Sequence, residues 1–249
     1  MGFFQNVKGQ FVGVSRDLLG IGKEQVKCLY PGTLLFLHTC PHVVEMHSDP
    51  ILRKCAILSI SFVSLLWCIK LWEWLLDWPL VALGVYPLSP QNLVGVLFGP
   101  LIHGSFAHIA TNTFGVLILG TALLYGYPKS RWWVLATIWV LSGIGVWLFG
   151  RPSFHIGASG LTHGLFFFLL VVSMLRRDRR SIALMMMASL LFGGMFWGVL
   201  PSEEGVSFEY HFFGGAAGIL AALLFWRWDP KPEEKQYDWE NEINTNPLD

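Results

Sequence analysis

Long apolar runs alternate with short polar breaks along most of this chain. Ile51 to Trp78 is the first run able to cross a bilayer, with Arg53 and Lys54 at its start. Trp67, Trp72, Trp74 and Trp78 crowd its far half, as an interfacial belt would. Lys70 and Glu73 fall inside this run and are expected to snorkel or to mark the interface. Pro79 to Ile102 is apolar but broken by Gly84, Pro87, Pro90, Gly95, Gly99 and Pro100. Irregular backbone at membrane depth needs protein or a wet cavity around it, so this stretch reads as a structured, partly buried loop with short helical pieces. His103 to Tyr125 is the second span; from Ala107 to Leu124 alone a helix would be about 27 Å long, against a hydrocarbon core of about 30 Å. Trp132 to Phe149, Gly157 to Leu175, Ser181 to Leu200 and Glu209 to Trp228 are the third to sixth. The prediction is an all-α polytopic membrane protein with a six-helix membrane domain over residues 51–228. An amino-terminal region (1–50) and a polar, acidic tail (229–249) flank it.

Charge orients the bundle. Six spans put both termini on one side. Lys8, Arg16, Lys23 and Lys27, the Lys129/Arg131 turn, the Arg176–Arg180 cluster and Arg227/Lys231 all fall on that side, and only Arg151 clearly falls opposite. The positive-inside rule then predicts a multi-pass protein of the cell membrane with both termini cytoplasmic. Composition agrees: 53% of residues are apolar, 14% are charged against about 25% in a soluble domain, and the mean hydropathy is +0.51. The formal net charge is zero, so nothing points to nucleic acid. Cys28, Cys40, Cys55 and Cys68 do not form a disulfide framework.

This topology gathers chemistry at one depth. His103 and His108 open the second span, Ser159 the fourth and His211 the sixth, all from the side opposite the termini. Ser159 lies in Gly157-Ala158-Ser159-Gly160. A serine hydroxyl is a weak nucleophile until a base takes its proton, and a helix start leaves backbone N–H groups free to hold an oxyanion. Gly157 and Gly160 allow close backbone approach. A capping serine in a packed bundle would look the same. His211 is the candidate base. Gly214 and Gly218 follow it at small-x-x-x-small spacing, and Gly160 and Gly164 repeat that spacing in the fourth span. If those faces meet, Ser159 and His211 approach each other; otherwise His211 bonds a carbonyl or Glu209. His108 and Asn112 share a helix face and offer side-chain donors for an oxyanion, or serve as interhelical glue. His103 is rotated away from His108 on the helix and is expected to order the loop before it. No aspartate is placed to complete a triad, so a serine–histidine dyad is expected. A metal site from His103, His108 and His211, or from His38, Cys40, His42 and His47, matches no ligand pattern well.

The stretches HGSFAHIATN (His103 to Asn112), GASG (Gly157 to Gly160) and YHFFGGAAG (Tyr210 to Gly218) together resemble the rhomboid intramembrane serine proteases. The resemblance covers about Ile51 to Trp228. It implies Ser159 as nucleophile, His211 as general base, and His108, Asn112 and the Ser159 N–H as the oxyanion hole, with His103 as a supporting histidine. It implies an endopeptidase that cuts transmembrane protein substrates near the outer end of their helix, among membrane lipids, with no metal or organic cofactor. The fifth span and the loop Pro201–Phe208 would match the family's substrate gate and cap. Two departures stand out. Many members carry a Trp-Arg pair in the first loop, where Val94-Gly95-Val96 has nothing like it. Many also place an aromatic four residues after the serine, where this chain has His163, a ring that could stack on His211 or hydrogen-bond to it. The main alternative is a catalytically inactive rhomboid-like protein that binds transmembrane helices.

Overall fold

A computed structural model of the protein describes residues 49–201 and 207–232. Residues 1–48 of the amino-terminal region, with the group His38, Cys40, His42 and His47, and most of the acidic tail, as well as Glu203, Glu204 and Gly205, lie outside the described residues. The described chain is a bundle of helices, and five of them are long and apolar enough to cross a membrane.

Helix α1 (Pro50–Leu76) starts where Asp49 Oδ1 accepts from the Ile51 N–H at 2.8 Å, with Pro50 in the first turn, where its missing N–H costs nothing. The other Asp49 oxygen accepts from Tyr125 Oη at 3.0 Å, which ties this end to the second span. Most of α1 faces outward, and Trp72, Trp74 and Trp78 stay exposed, as suits a helix edge turned to lipid. Lys70 and Glu73 do not snorkel. They pair at 2.9 Å, both largely buried. Glu73 Oε1 also accepts from the Leu80 N–H (3.2 Å), and Lys70 Nζ reaches the Gly104 carbonyl (3.5 Å), so the pair grips both ends of the first loop.

That loop carries short pieces: 3-10 turns at Leu80–Leu83, Pro90–Val94 and Gly99–Leu101, and a four-residue helix, α2 (Gly95–Phe98). The second span runs as α3 (Phe106–Gly115), a π turn (Val116–Gly120) and α4 (Thr121–Gly126). It opens three residues later than His103 because Ser105 caps it, accepting from the His108 N–H at 3.0 Å. Helix α5 (Arg131–Phe149) is the third span.

Helix α6 (Ser159–Arg176) is the central post, buried along almost its whole length. Leu165, Phe168, Leu169 and Val172 meet Leu119, Leu123, Ile138 and Ala221 in the main core. Its small residues meet those of α9 (Phe208–Phe225), as their spacing predicts: a Cβ on Gly214 would run into the Gly160 carbonyl, and one on Gly218 into that of Gly164. Backbones this close gain dispersion contacts that larger residues would forbid.

The expected fifth span is shorter than its apolar run. Helix α7 (Arg179–Phe192) has 14 residues, about 21 Å at 1.5 Å each. The Gly193-Gly194 pair then ends it, and a four-residue helix, α8 (Met195–Gly198), follows.

Candidate active site

Three helix starts build the site. The turn before α6 is set by Gly157 at φ 109°, a conformation open to glycine and strained for other residues. A Cβ there would also lie 2.5 Å from His108 Cε1 and 2.7 Å from its Nε2. The glycine is therefore the space in which the His108 ring lies. The Gly157 N–H donates to the Gly99 carbonyl (2.9 Å), and the Ala158 N–H donates to His103 Nε2 (3.3 Å). The first helical bond runs from the Thr162 N–H to the Ala158 carbonyl, so the Ser159 and Gly160 N–H groups precede the helical ladder. Gly160 leaves room for Tyr210; its Cβ would stand 2.8 Å from Tyr210 Cδ1.

His103 sits outside the helix, fully buried, with its ring edge-on to His108 at 5.1 Å. Burial, then the neighbouring His108, pushes its pKa down to about 4. A neutral ring is what Nε2 needs in order to accept from Ala158. His103 thus fixes the serine's turn rather than only its own loop. On α3, Asn112 is buried, and its amide nitrogen has no hydrogen-bond partner; it lies 3.5 Å from where a Gly157 Cβ would be. A buried donor without a partner costs about 1–3 kcal/mol, which is tolerable where a reacting atom supplies the missing contact.

On α9, His211 Nδ1 donates to the Gly198 carbonyl at 2.9 Å. A carbonyl only accepts, so the proton belongs on Nδ1, and Nε2 of the neutral ring keeps its lone pair. His163 Nδ1 likewise donates to the Ser159 carbonyl (2.8 Å). The His163 and His211 rings stack, with centroids 4.0 Å apart and planes within 7°. Gly198 makes this possible: a Cβ there would lie 2.8 Å from His163 Nε2 and 3.7 Å from His211 Nδ1. Glu209 turns away from the histidine and pairs with Arg151 at 3.2 Å.

Ser159, His211, His108, Asn112 and His163 line one cavity of about 800 Å³, with Met195 and Phe154 among its other walls. His103, Gly157 and Gly160 stand behind that surface and shape it. Among the described residues no group of three His, Cys, Asp or Glu side chains could hold a metal ion, and Cys55 and Cys68 are free thiols.

The rhomboid domain model matches residues 90–228, more than half the chain, including all three helix starts. The chain belongs to the rhomboid family. It is also 36% identical over 174 residues to uncharacterised proteins of Mycobacterium tuberculosis and Mycobacterium bovis, covering 66% of this chain and 72% of each relative. An uncharacterised protein of Mycobacterium leprae is 33% identical over 174 residues, covering 66% of this chain and 69% of the relative. The rhomboid family generally comprises serine proteases, and this rhomboid protein is a multi-pass membrane protein.

Two features near the rhomboid site escape a sequence reading. The Gly198 carbonyl that holds His211 is backbone, which every residue has. His155 stands four residues before Ser159 and is buried among loop atoms; a lone histidine in a short loop was its only signal.

Proposed function

We propose that this rhomboid protein is an intramembrane serine endopeptidase working through a Ser159–His211 dyad and an acyl-enzyme. The observation that carries the reading is one cavity lined by a serine, an imidazole with its Nδ1 proton engaged by a carbonyl, and two donors from a third helix. His211 Nε2 takes the proton from Ser159 Oγ as the serine attacks a peptide carbonyl. The Ser159 N–H, the Asn112 amide and His108 hold the tetrahedral oxyanion; one such donor is commonly worth about 10²–10³ in rate. His211 then gives its proton to the leaving amine, and water releases the acyl group. The Gly198 carbonyl does the orienting that a carboxylate does in a triad, without adding a charge.

The substrates of this reading are transmembrane proteins whose helix frays beside the cavity. Lys129, Arg131, Arg176–Arg180 and Arg227 lie at the end of the bundle opposite Ser159, so the positive-inside rule puts that end, and both termini, in the cytoplasm and the cut near the outer face of the cell membrane.

The test is a panel of single-span reporter proteins in liposomes, cut by wild type and by Ser159→Ala, with a fluorophosphonate probe on the same samples. Products and Ser159 labelling confined to the wild type are expected. Cleavage by Ser159→Ala defeats the assignment, and so does a wild type that neither cuts nor labels.

A further inference from the structure

His155 has no part in the reaction above, yet it is 1% exposed and its ring is fully engaged. Nε2 lies 3.1 Å from the Arg151 carbonyl, so Nε2 bears the proton and Nδ1 keeps a lone pair. Ser207 Oγ–H donates to that Nδ1. The same Oγ accepts from the Tyr210 N–H at 3.3 Å and so caps α9. Burial pushes the His155 pKa down, with the Arg151 carbonyl opposing, and only the neutral ring can accept from Ser207. The backbone of His155 is itself pinned, exchanging two hydrogen bonds with Val85 at 2.8 and 3.0 Å.

What the ring holds is the first turn of the helix that carries His211. The His211 N–H reaches only the Ser207 carbonyl, at 3.4 Å. First turns fray readily, and a shift of about 1 Å in a catalytic group can cost about 10²-fold. The Arg151–Glu209 contact joins the same two segments: the buried Glu209 carboxylate accepts from the Arg151 side chain (3.2 Å) and from its N–H (3.4 Å), and the guanidinium lies over the Phe208 ring, so it acts beside the His155–Ser207 link.

We propose that His155 is a positioning residue: through the Ser207 cap it fixes the first turn of α9 and thereby the place of His211 relative to Ser159. The inference rests on the dyad reading. It predicts that the loop just before the serine and the cap just before the base act as one unit.

The experiment uses the full chain in detergent as wild type, His155→Ala, Ser207→Ala, the double variant and Ser207→Thr. Four quantities are read: kcat and KM on a reporter, fluorophosphonate labelling of Ser159, diethylpyrocarbonate modification of His211 by mass spectrometry, and Tm. Each alanine variant should lower kcat and labelling about tenfold and speed His211 modification, with KM little changed. The double variant should lose no more than either single one, because both cut the same link. Ser207→Thr, which keeps the hydroxyl, should stay near wild type. Multiplicative losses in the double variant, or a fall in Tm with kcat and His211 reactivity unchanged, overturn the proposal. A wild type without cleavage or labelling defeats the dyad reading instead; His211 reactivity across the same variants then still decides whether His155 positions it. If His155→Ala does not fold, the two Ser207 variants carry the test.

Discussion

The two ends of helix α6 are built on opposite principles. At the far end Arg176 is 2% exposed, and every guanidinium nitrogen is used. Nε donates to Asp178 Oδ2 (2.8 Å) and Ser181 Oγ (3.2 Å), Nη1 to the Trp226 and Asp229 carbonyls (2.8 Å each) and Nη2 to the Pro230 carbonyl (3.1 Å). Burial pushes the Asp178 pKa up, but the Ser181 N–H and the Arg176 guanidinium outweigh that and hold it below the usual carboxylate range. The Asp229 carboxylate in turn accepts from the Lys129 N–H at 2.7 Å and from Ser130 Oγ. At the Ser159 end the Asn112 amide and His163 Nε2 are buried without partners, and a cavity of about 800 Å³ opens among them. Satisfied groups stabilise and have nothing left to offer a substrate. Unsatisfied polar atoms cost stability, and a donor among them, the Asn112 amide, is available to a reacting atom. Arg176 locks three segments together, although Tyr127 Oη and Arg180 Nε beside it are buried without partners; at the site end the unpartnered Asn112 amide stands in the wall of a cavity.

The sharpest test of that contrast exchanges the readouts. Ser159→Ala should lower turnover by about 10⁶-fold, the loss typical of a removed serine nucleophile, while Tm stays unchanged. Arg176→Ala should do the reverse, destabilising the protein by about 3–5 kcal/mol because Asp178 keeps a buried charge without its partner. Thermal unfolding and reporter cleavage on both variants measure it. A stable Arg176→Ala protein would remove the distinction between the two ends.

The next test is pH. His103 has a free pKa of 6.5 and is held at about 4 in the fold. The folded state therefore binds fewer protons than the unfolded state between those values, and stability falls as pH falls. The contribution is complete above pH 6.5 and lost as pH drops through that window towards 4. At 1.36 kcal/mol per pH unit it amounts to roughly 3 kcal/mol. His103→Gln keeps an acceptor for the Ala158 N–H and has no proton to gain. Its Tm should fall less than that of the wild type on acidification; equal falls would mean that other groups carry the acid sensitivity.

How much of this was legible follows from which forces are local. The apolar runs marked the spans, and topology alone brought His108, Ser159 and His211 to one depth. The glycine spacing in the fourth and sixth spans foretold the α6–α9 contact. Arg176 was visible only as one of four arginines, since nothing in a basic cluster says which member turns inward to carbonyls 50 residues away. Lys70 and Glu73 were expected to snorkel or to mark the interface, because a pair three residues apart does not disclose the loop backbone it grips. The Gly193-Gly194 pair was hidden inside a run read as apolar throughout.

A smaller effect is expected at Gly157. Gly157→Ala places a methyl against His108 at a positive φ, costing about 1–2 kcal/mol of backbone strain and moving the ring. Ser159 labelling should slow more than Tm falls, because the displaced ring belongs to the site end. Equal, small changes would show that the turn tolerates the methyl and that His108 does not depend on it.

The finest test concerns the stacked imidazoles. Under the proposed mechanism His211 gains a proton while facing a second titratable ring at 4.0 Å. Protonating both would place like charges face to face, so the two sites titrate as a pair. His163→Phe keeps a flat face over His211 and removes the second site, along with the bond to the Ser159 carbonyl. His163→Tyr does the same but carries its hydroxyl towards Gly198, where space is short. Both should keep maximal kcat/KM within about tenfold of wild type and change the shape of its acid limb. A change in Tyr alone would be steric. An unchanged profile in Phe would make His163 a packing surface and leave His211 to titrate by itself, which would confine the chemistry of the site end to Ser159, His211 and the donors of α3.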